Sequence, residues 1–367
     1  MATVIESVPK KTQHPAINTS ALPIFRFFAA CVVGLFHFGQ KTDFYPHVPE
    51  IFKAGPEMVT FFFVLSGFLL YFGYQHRELV SFRQYFTKRA IRILPLYYVA
   101  FLMSTVLWAI AGKLFFSEFI INLFCLQSWF VCPISYNFTS WFVSDLLFFY
   151  CLFPFILSFL KKNKPASAHL MAASLLLWLV TQGILIKLLN SPFYRGYPSY
   201  SNDLLFYFPP PHFCSFFMGI CGAYCVRAYD LRERRGEFMS LLTTVLLLGG
   251  VAVMIQVLPK FTRSLGFMLP FYSSFYAPVF LAVILNITLS RNLLLRILSW
   301  SRFVFWGEVS YALYIIQAPM DELYKYLIPG IFKAQAEVKF FLFFVLLVSV
   351  SAMLTSWEKS VVRRFVR

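Results

Sequence analysis

Apolar residues run in blocks of about twenty along nearly the whole chain, divided by short polar or basic segments. A helix of that length spans the ~30 Å hydrocarbon core of a bilayer. The blocks predict spans at 21–38, 57–75, 91–110, 141–160, 168–188, 209–227, 239–258, 268–290, 303–320 and 338–356. The expected fold is therefore all-α: a polytopic membrane helix bundle of about ten transmembrane helices, with both termini cytoplasmic. Residues 1–20 read as a polar N-terminus, 21–356 as an integral-membrane domain and 357–367 as a basic tail. The first block ends in Phe36-His37-Phe38 without a small-residue cleavage site, so it is read as an uncleaved span. No repeat of the kind that builds solenoids is visible, and nothing marks a second, soluble domain.

Composition agrees with the pattern, because 59% hydrophobic and 13% charged residues exceed what a soluble core can bury. The net charge of +16 then becomes a statement about sidedness. With the N-terminus inside, the expected inner segments hold twenty-one basic residues and the outer ones ten. That bias is the one cytoplasmic loops carry. Attraction to anionic lipid accounts for the basic surplus, so membrane lipid is an expected partner and nucleic acid is not. The location expected is the bacterial inner (plasma) membrane as a multi-pass protein.

Within the first span, Arg26 and His37 are the two ionisable residues, eleven positions apart. On an α-helix they fall almost on one stripe, about 16 Å apart along the axis. Such side chains are costly in hydrocarbon and mark functional positions. Arginine is a permanent cation that seeks an anion, and histidine exchanges a proton near neutral pH. An anion clamp on the inner side and a base toward the outer side is the chemical reading.

Later segments extend it. Phe62-Phe63-Val64-Leu65-Ser66-Gly67-Phe68, Arg89-Ala90-Ile91-Arg92, Trp141 to Tyr150 with Asp145, and Ser310-Tyr311-Ala312-Leu313-Tyr314-Ile315-Ile316-Gln317-Ala318-Pro319 follow in that order. With the Arg26 and His37 spacing, this combination resembles the membrane acyltransferase-3 family, which moves acyl groups onto glycans and other hydroxyl acceptors. Met58 stands where that family often has glycine, and Gln317 where it often has histidine. Glutamine hydrogen-bonds but cannot shuttle a proton at neutral pH, which leaves His37 as the expected base.

The resemblance implies transfer of an acyl group from a thioester, acyl-CoA and by expectation acetyl-CoA, to an alcohol. An alcohol needs a base to take its proton in the transition state. His37 is expected to do this, with Asp145 either orienting it or joining an inter-helix hydrogen-bond network. CoA phosphates need cations, and Arg89 and Arg92, at i and i+3, share a helix face. Those two and Arg26 are the expected donor-binding residues. Tyr194 and Arg195, in the aromatic segment 190–211, and Tyr311, Tyr314 and Gln317, in the ninth span, are expected to line the acceptor side. The acceptor is expected to be a surface polysaccharide or a lipid-linked glycan. No permanently bound cofactor is expected, and a homo-oligomer is an assembly the topology permits.

The seven cysteines show no CxxC, and no HExxH, GxSxG or Gly-rich phosphate loop occurs. Metal, serine-hydrolase and ATPase chemistry thus lack support. Cys214, Cys221 and Cys225 read as packing residues, and Cys125 with Cys132 as an outer-loop pair that could bridge. A transporter or flippase of a lipid-linked glycan is the alternative reading of ten spans with a few buried charges.

Overall fold

The computed structural model describes residues 19–77, 81–130, 134–228, 236–327 and 335–365, and among them no strand occurs. The described helices are α1 (Leu22–Phe38), α2 (Gly55–Tyr74), α3 (Phe82–Ile110), α4 (Phe116–Leu123), α5 (Trp141–Asn163), α6 (Ser167–Leu189) and α7 (Tyr200–Phe206). They continue as α8 (Pro209–Ala228), α9 (Glu237–Ser264), α10 (Ala277–Leu289), α11 (Leu293–Leu298), α12 (Ser301–Leu327) and α13 (Ala336–Phe365). Proline at the first turn starts α1, α2 and α10, where its missing N–H costs nothing. The Ser81 hydroxyl accepts the Gln84 N–H at 3.3 Å and starts α3.

Each expected span contains a helix, and eight spans among the described residues are long and apolar enough to cross a membrane. This is a multi-pass membrane architecture. One span differs from the hydropathy reading. Residues 268–290 are helical only from Ala277; ahead of it lie turns, with the Ser273 N–H donating to the Pro270 carbonyl at 2.9 Å. Carbonyls freed there are met from α6: Trp178 Nε1 donates to Ser274 at 2.9 Å and Gln182 Nε2 to Ser273 at 3.3 Å. Irregular backbone at membrane depth persists where protein satisfies it. The expected span 303–320 lies within α12, which is long but polar at both ends; Val309–Ser310 and Ala312–Met320 are buried. A helix enclosed by other helices needs no lipid-facing surface, which is why α12 is not among the eight apolar enough to cross a membrane.

The bundle is set by two close helix crossings. A Cβ on Gly67 would lie 2.0 Å from the Phe216 carbonyl oxygen, and one on Gly219 would lie 2.0 Å from that of Val64. Backbone thus packs on backbone where α2 crosses α8. Likewise a Cβ on Gly307 would lie 2.1 Å from Pro23 Cβ, which seats α12 on α1. Small residues at membrane helix interfaces permit such approaches, and dispersion there supplies the attraction that the hydrophobic effect cannot.

Helix ends meet in two sets, as alternating spans require. On the Arg26 side, Lys161 donates to the Arg77 carbonyl, and Arg296 pairs with Glu237. On the His37 side, Asn190 Nδ2 donates to the Met268 carbonyl at 2.8 Å, and the Asp43 N–H donates to Glu337 at 2.8 Å. Cys125 is buried, Cys132 lies outside the described residues together with Lys10 and Lys11, and Cys214 and Cys221 pack in the core.

The crossings make a stability prediction. Gly219→Ala forces a methyl into backbone and is expected to cost at least ~1–3 kcal/mol, lowering the melting temperature in detergent. Gly249→Ala, with nothing within 4 Å, should be neutral or stabilising by up to about 1 kcal/mol. Equal melting temperatures for the two variants would contradict the packing described.

Candidate functional site

Arg26, Arg89 and Arg92 come together on one cavity of about 740 Å³, within the range of roughly 300–1,000 Å³ common for cofactor sites. α1 supplies the first and α3 the other two. Arg77, Lys88 and Lys359 add further positive charge to the lining, and Glu308 and Glu358 the negative charge. Tyr74, at the end of α2, organises part of the mouth: its hydroxyl accepts from Arg89 at 3.0 Å. The Arg77 and Arg89 guanidinium carbons lie 5.2 and 5.0 Å from its ring centroid. A cation over an aromatic face is held there by the ring's electrostatic attraction. Lys359 pairs with Glu308 across the same cavity. Deeper, Leu65, Leu146, Phe62, Phe142 and Tyr314 make the lining apolar. A cavity lined by cations in one part and by apolar side chains in another suits a ligand with a phosphorylated head and an apolar tail.

His37 opens into a second cavity, of about 230 Å³, at the other end of α1. Its ring is held by aromatic edges, with Phe138 at 4.7 Å and Phe36 at 5.0 Å between centroids. Such contacts are worth about 0.5–1.5 kcal/mol each and fix a ring without occupying its nitrogens. The loop bearing Phe138 is itself pinned: Asn137 Nδ2 donates to the Ile315 carbonyl at 2.8 Å, and the Thr139 hydroxyl donates to Asn137 Oδ1 at 2.8 Å. Trp141, Tyr197, Asn202, Tyr207 and Tyr272 line the rest. No carboxylate, lysine or arginine is among the lining residues.

Tyr314 lines both cavities, and among the described residues no other side chain does. Tyr311 lines the cationic cavity, its hydroxyl donating to the Ile93 carbonyl at 2.9 Å and tying α12 to α3. The remaining expected site residues lie elsewhere. Gln317 is fully buried, its amide donating to the Tyr314 carbonyl at 2.9 Å, and lines neither cavity. Asp145 is fully buried; neither carboxylate oxygen has a hydrogen-bond partner among the described residues, so no bond joins it to His37. Tyr194 packs beside Leu185, Leu189 and Leu205, and Arg195 is exposed; neither lines a cavity. His212 is enclosed between Phe63 and Trp141, with Nε2–H donating to the Phe206 carbonyl at 2.9 Å.

Tyr74, Arg77, Lys88 and Lys359 on one side, and Trp141, Tyr207 and Tyr272 on the other, carried no site assignment from sequence. Arg77, Lys88 and Lys359 stood in the basic count as sidedness markers. Tyr197 and Asn202 belong to the aromatic segment 190–211 that holds Tyr194 and Arg195, and which of its positions turn inward depends on its tertiary path.

A multi-pass helical protein with a cationic cavity and an aromatic one joined at a single wall is the class defined by fold and site. The family model described as an acyltransferase domain, Acyl_transf_3, matches residues 20–357, and the chain belongs to that family. It is a membrane acyltransferase. No curated protein and no solved structure matches it.

Proposed function

We propose that this protein is an acyl-CoA-dependent O-acyltransferase of the plasma membrane, the bacterial inner membrane by expectation. It takes an acyl group, acetyl in the first instance, from cytoplasmic acyl-CoA to a hydroxyl of a surface polysaccharide or lipid-linked glycan. The observation that carries this reading is the division of α1, with Arg26 on a cationic cavity and His37 on a separate aromatic one.

Arg89 and Arg92, with Arg26 deeper, bind the phosphates of CoA by charge-assisted hydrogen bonds. The pantetheine arm runs along the apolar lining toward Tyr314. A sugar ring enters the aromatic cavity and stacks on its rings, with a hydroxyl toward His37. Neutral His37 takes the hydroxyl proton as the oxygen bonds to the thioester carbonyl carbon. The tetrahedral intermediate collapses with cleavage of the C–S bond, and the proton on His37 passes to the leaving thiolate. Ester and free CoA result, and the base is restored.

His37→Ala should lower acyl transfer by about 10²–10⁴-fold while acyl-CoA binding, followed by calorimetry, persists. Since the neutral imidazole is the active form, wild-type kcat/KM should fall once acidification protonates His37. Undiminished transfer by folded His37→Ala would eliminate the proposed base. Arg89→Ala and Arg92→Ala should each raise KM for acyl-CoA about tenfold or more, since a hydrogen bond to a charged group is worth roughly 1.5–3 kcal/mol. Their kcat should change little; a kcat loss at unchanged KM would move these arginines out of donor binding. In proteoliposomes with acyl-CoA on the cytoplasmic-loop side, acceptors on the opposite side should be acylated. Product confined to acceptors on the donor side would refute transfer across the membrane.

A further inference from the structure

The donor cavity and the acceptor cavity are separated by a built wall. Phe62 on α2, Phe142 on α5 and Tyr314 on α12 form a closed triangle of rings. Their centroids stand 5.9 Å apart for Phe62 and Phe142, 5.8 Å for Phe62 and Tyr314, and 5.3 Å for Phe142 and Tyr314. All three are buried and line the cationic cavity, and Tyr314 alone also faces the cavity of His37. The α12 backbone that carries Tyr314 is held by the Asn137 bond to Ile315 on one side and the Tyr311 bond to Ile93 on the other. The segment of α12 that carries one of the rings is therefore anchored on both sides.

We infer that this aromatic triangle is the partition that selects the length of the acyl group and keeps water from the thioester until an acceptor is present. The inference rests on the donor reading above. An acyl-CoA entering from the cationic mouth presents its thioester and acyl chain to the triangle. A two-carbon acyl group ends at the rings, whereas each further methylene must displace one of them. A packed wall discriminates such increments by about tenfold or more per methylene. Closure of the same wall keeps solvent in the acceptor cavity away from the carbonyl carbon. If the wall is opened, a water oxygen bonds to that carbon, the C–S bond breaks, and the proton passes to the thiolate, giving a carboxylic acid and free CoA. Tyr314 is a positioning and specificity residue in this scheme, not a base.

The test uses purified full-length protein in nanodiscs with acetyl-CoA and butyryl-CoA as probes and no added acceptor. Binding of each is measured by calorimetry, and hydrolysis by release of free thiol. Wild type should bind acetyl-CoA in preference to butyryl-CoA and release thiol slowly. Tyr314→Ala should shift the binding ratio toward butyryl-CoA at least about tenfold and raise thiol release by a similar factor. Tyr314→Phe, which keeps the ring, should retain the wild-type ratio and slow release. Phe142→Ala tests the same wall from another helix should Tyr314→Ala fail to fold, and it should shift the ratio the same way. If wild type binds acetyl-CoA but folded Tyr314→Ala or Phe142→Ala leaves ratio and release unchanged, the partition is overturned and the donor reading stands. If wild type binds neither thioester, the donor reading falls and the partition with it.

Discussion

Backbone against backbone is the constraint on which this bundle depends. In hydrocarbon, apolar side chains gain little by leaving lipid for one another, so helices must be held by close fit. At Gly67 and Gly219 the fit leaves no room for a single methyl, and at Gly307 the first turn of α1 fills the space. These contacts lock α2 to α8 and α12 to α1. The helices so locked are those that carry Phe62, Arg26, His37 and Tyr314. Loosening either crossing would move a wall of the candidate site before it exposed any surface.

The polar residues obey the complementary rule, that an ionisable side chain within a membrane is tolerable where it reaches another polar group or a cavity. Arg26, Arg89 and Glu308 reach the larger cavity, and His37 reaches the smaller one. α12 shows the same rule in reverse: being enclosed, it carries Ser310, Tyr311, Tyr314 and Gln317 in a segment that would suit neither lipid nor water. Tyr311 and Gln317 both donate to backbone carbonyls, and that satisfaction makes the segment affordable.

Much of the fold was legible, because span length and spacing are local properties. Arg26 and His37 could be placed at opposite ends of one helix from a rise of about 1.5 Å per residue. Arg89 and Arg92 could be put on one face in the same way. What was not legible depends on contacts between distant segments. Residues 268–276 are apolar enough to read as part of a span, and bonds from the distant Trp178, Gln182 and Asn190 make their non-helical path tolerable. Tyr194 and Tyr197 are three residues apart in one aromatic run, yet one packs on α6 leucines and the other faces the cavity. Composition cannot tell them apart. Gln317 stood out as a departure from the pattern the family resemblance supplies, and the side chain proved to be committed to the backbone of its own helix.

Under the proposed function, separate cavities suit the chemistry of a thioester. A donor that is hydrolysed whenever an acceptor is lacking would be wasted, so carbonyl carbon and base have to be kept apart until both substrates are in place. A single continuous channel lined by arginine at one end and histidine at the other could bind the same ligands, but it would admit water along its length. An aromatic wall answers this with apolar surface, which excludes water without offering it a hydrogen-bond partner. It can also yield by rotation of one side chain, with no movement of helices that the glycine crossings hold in place. On the proposed reading, Arg26, His37 and Tyr314 sit on helices that the glycine crossings lock, and specificity for the acyl group and protection from water are two consequences of one piece of packing.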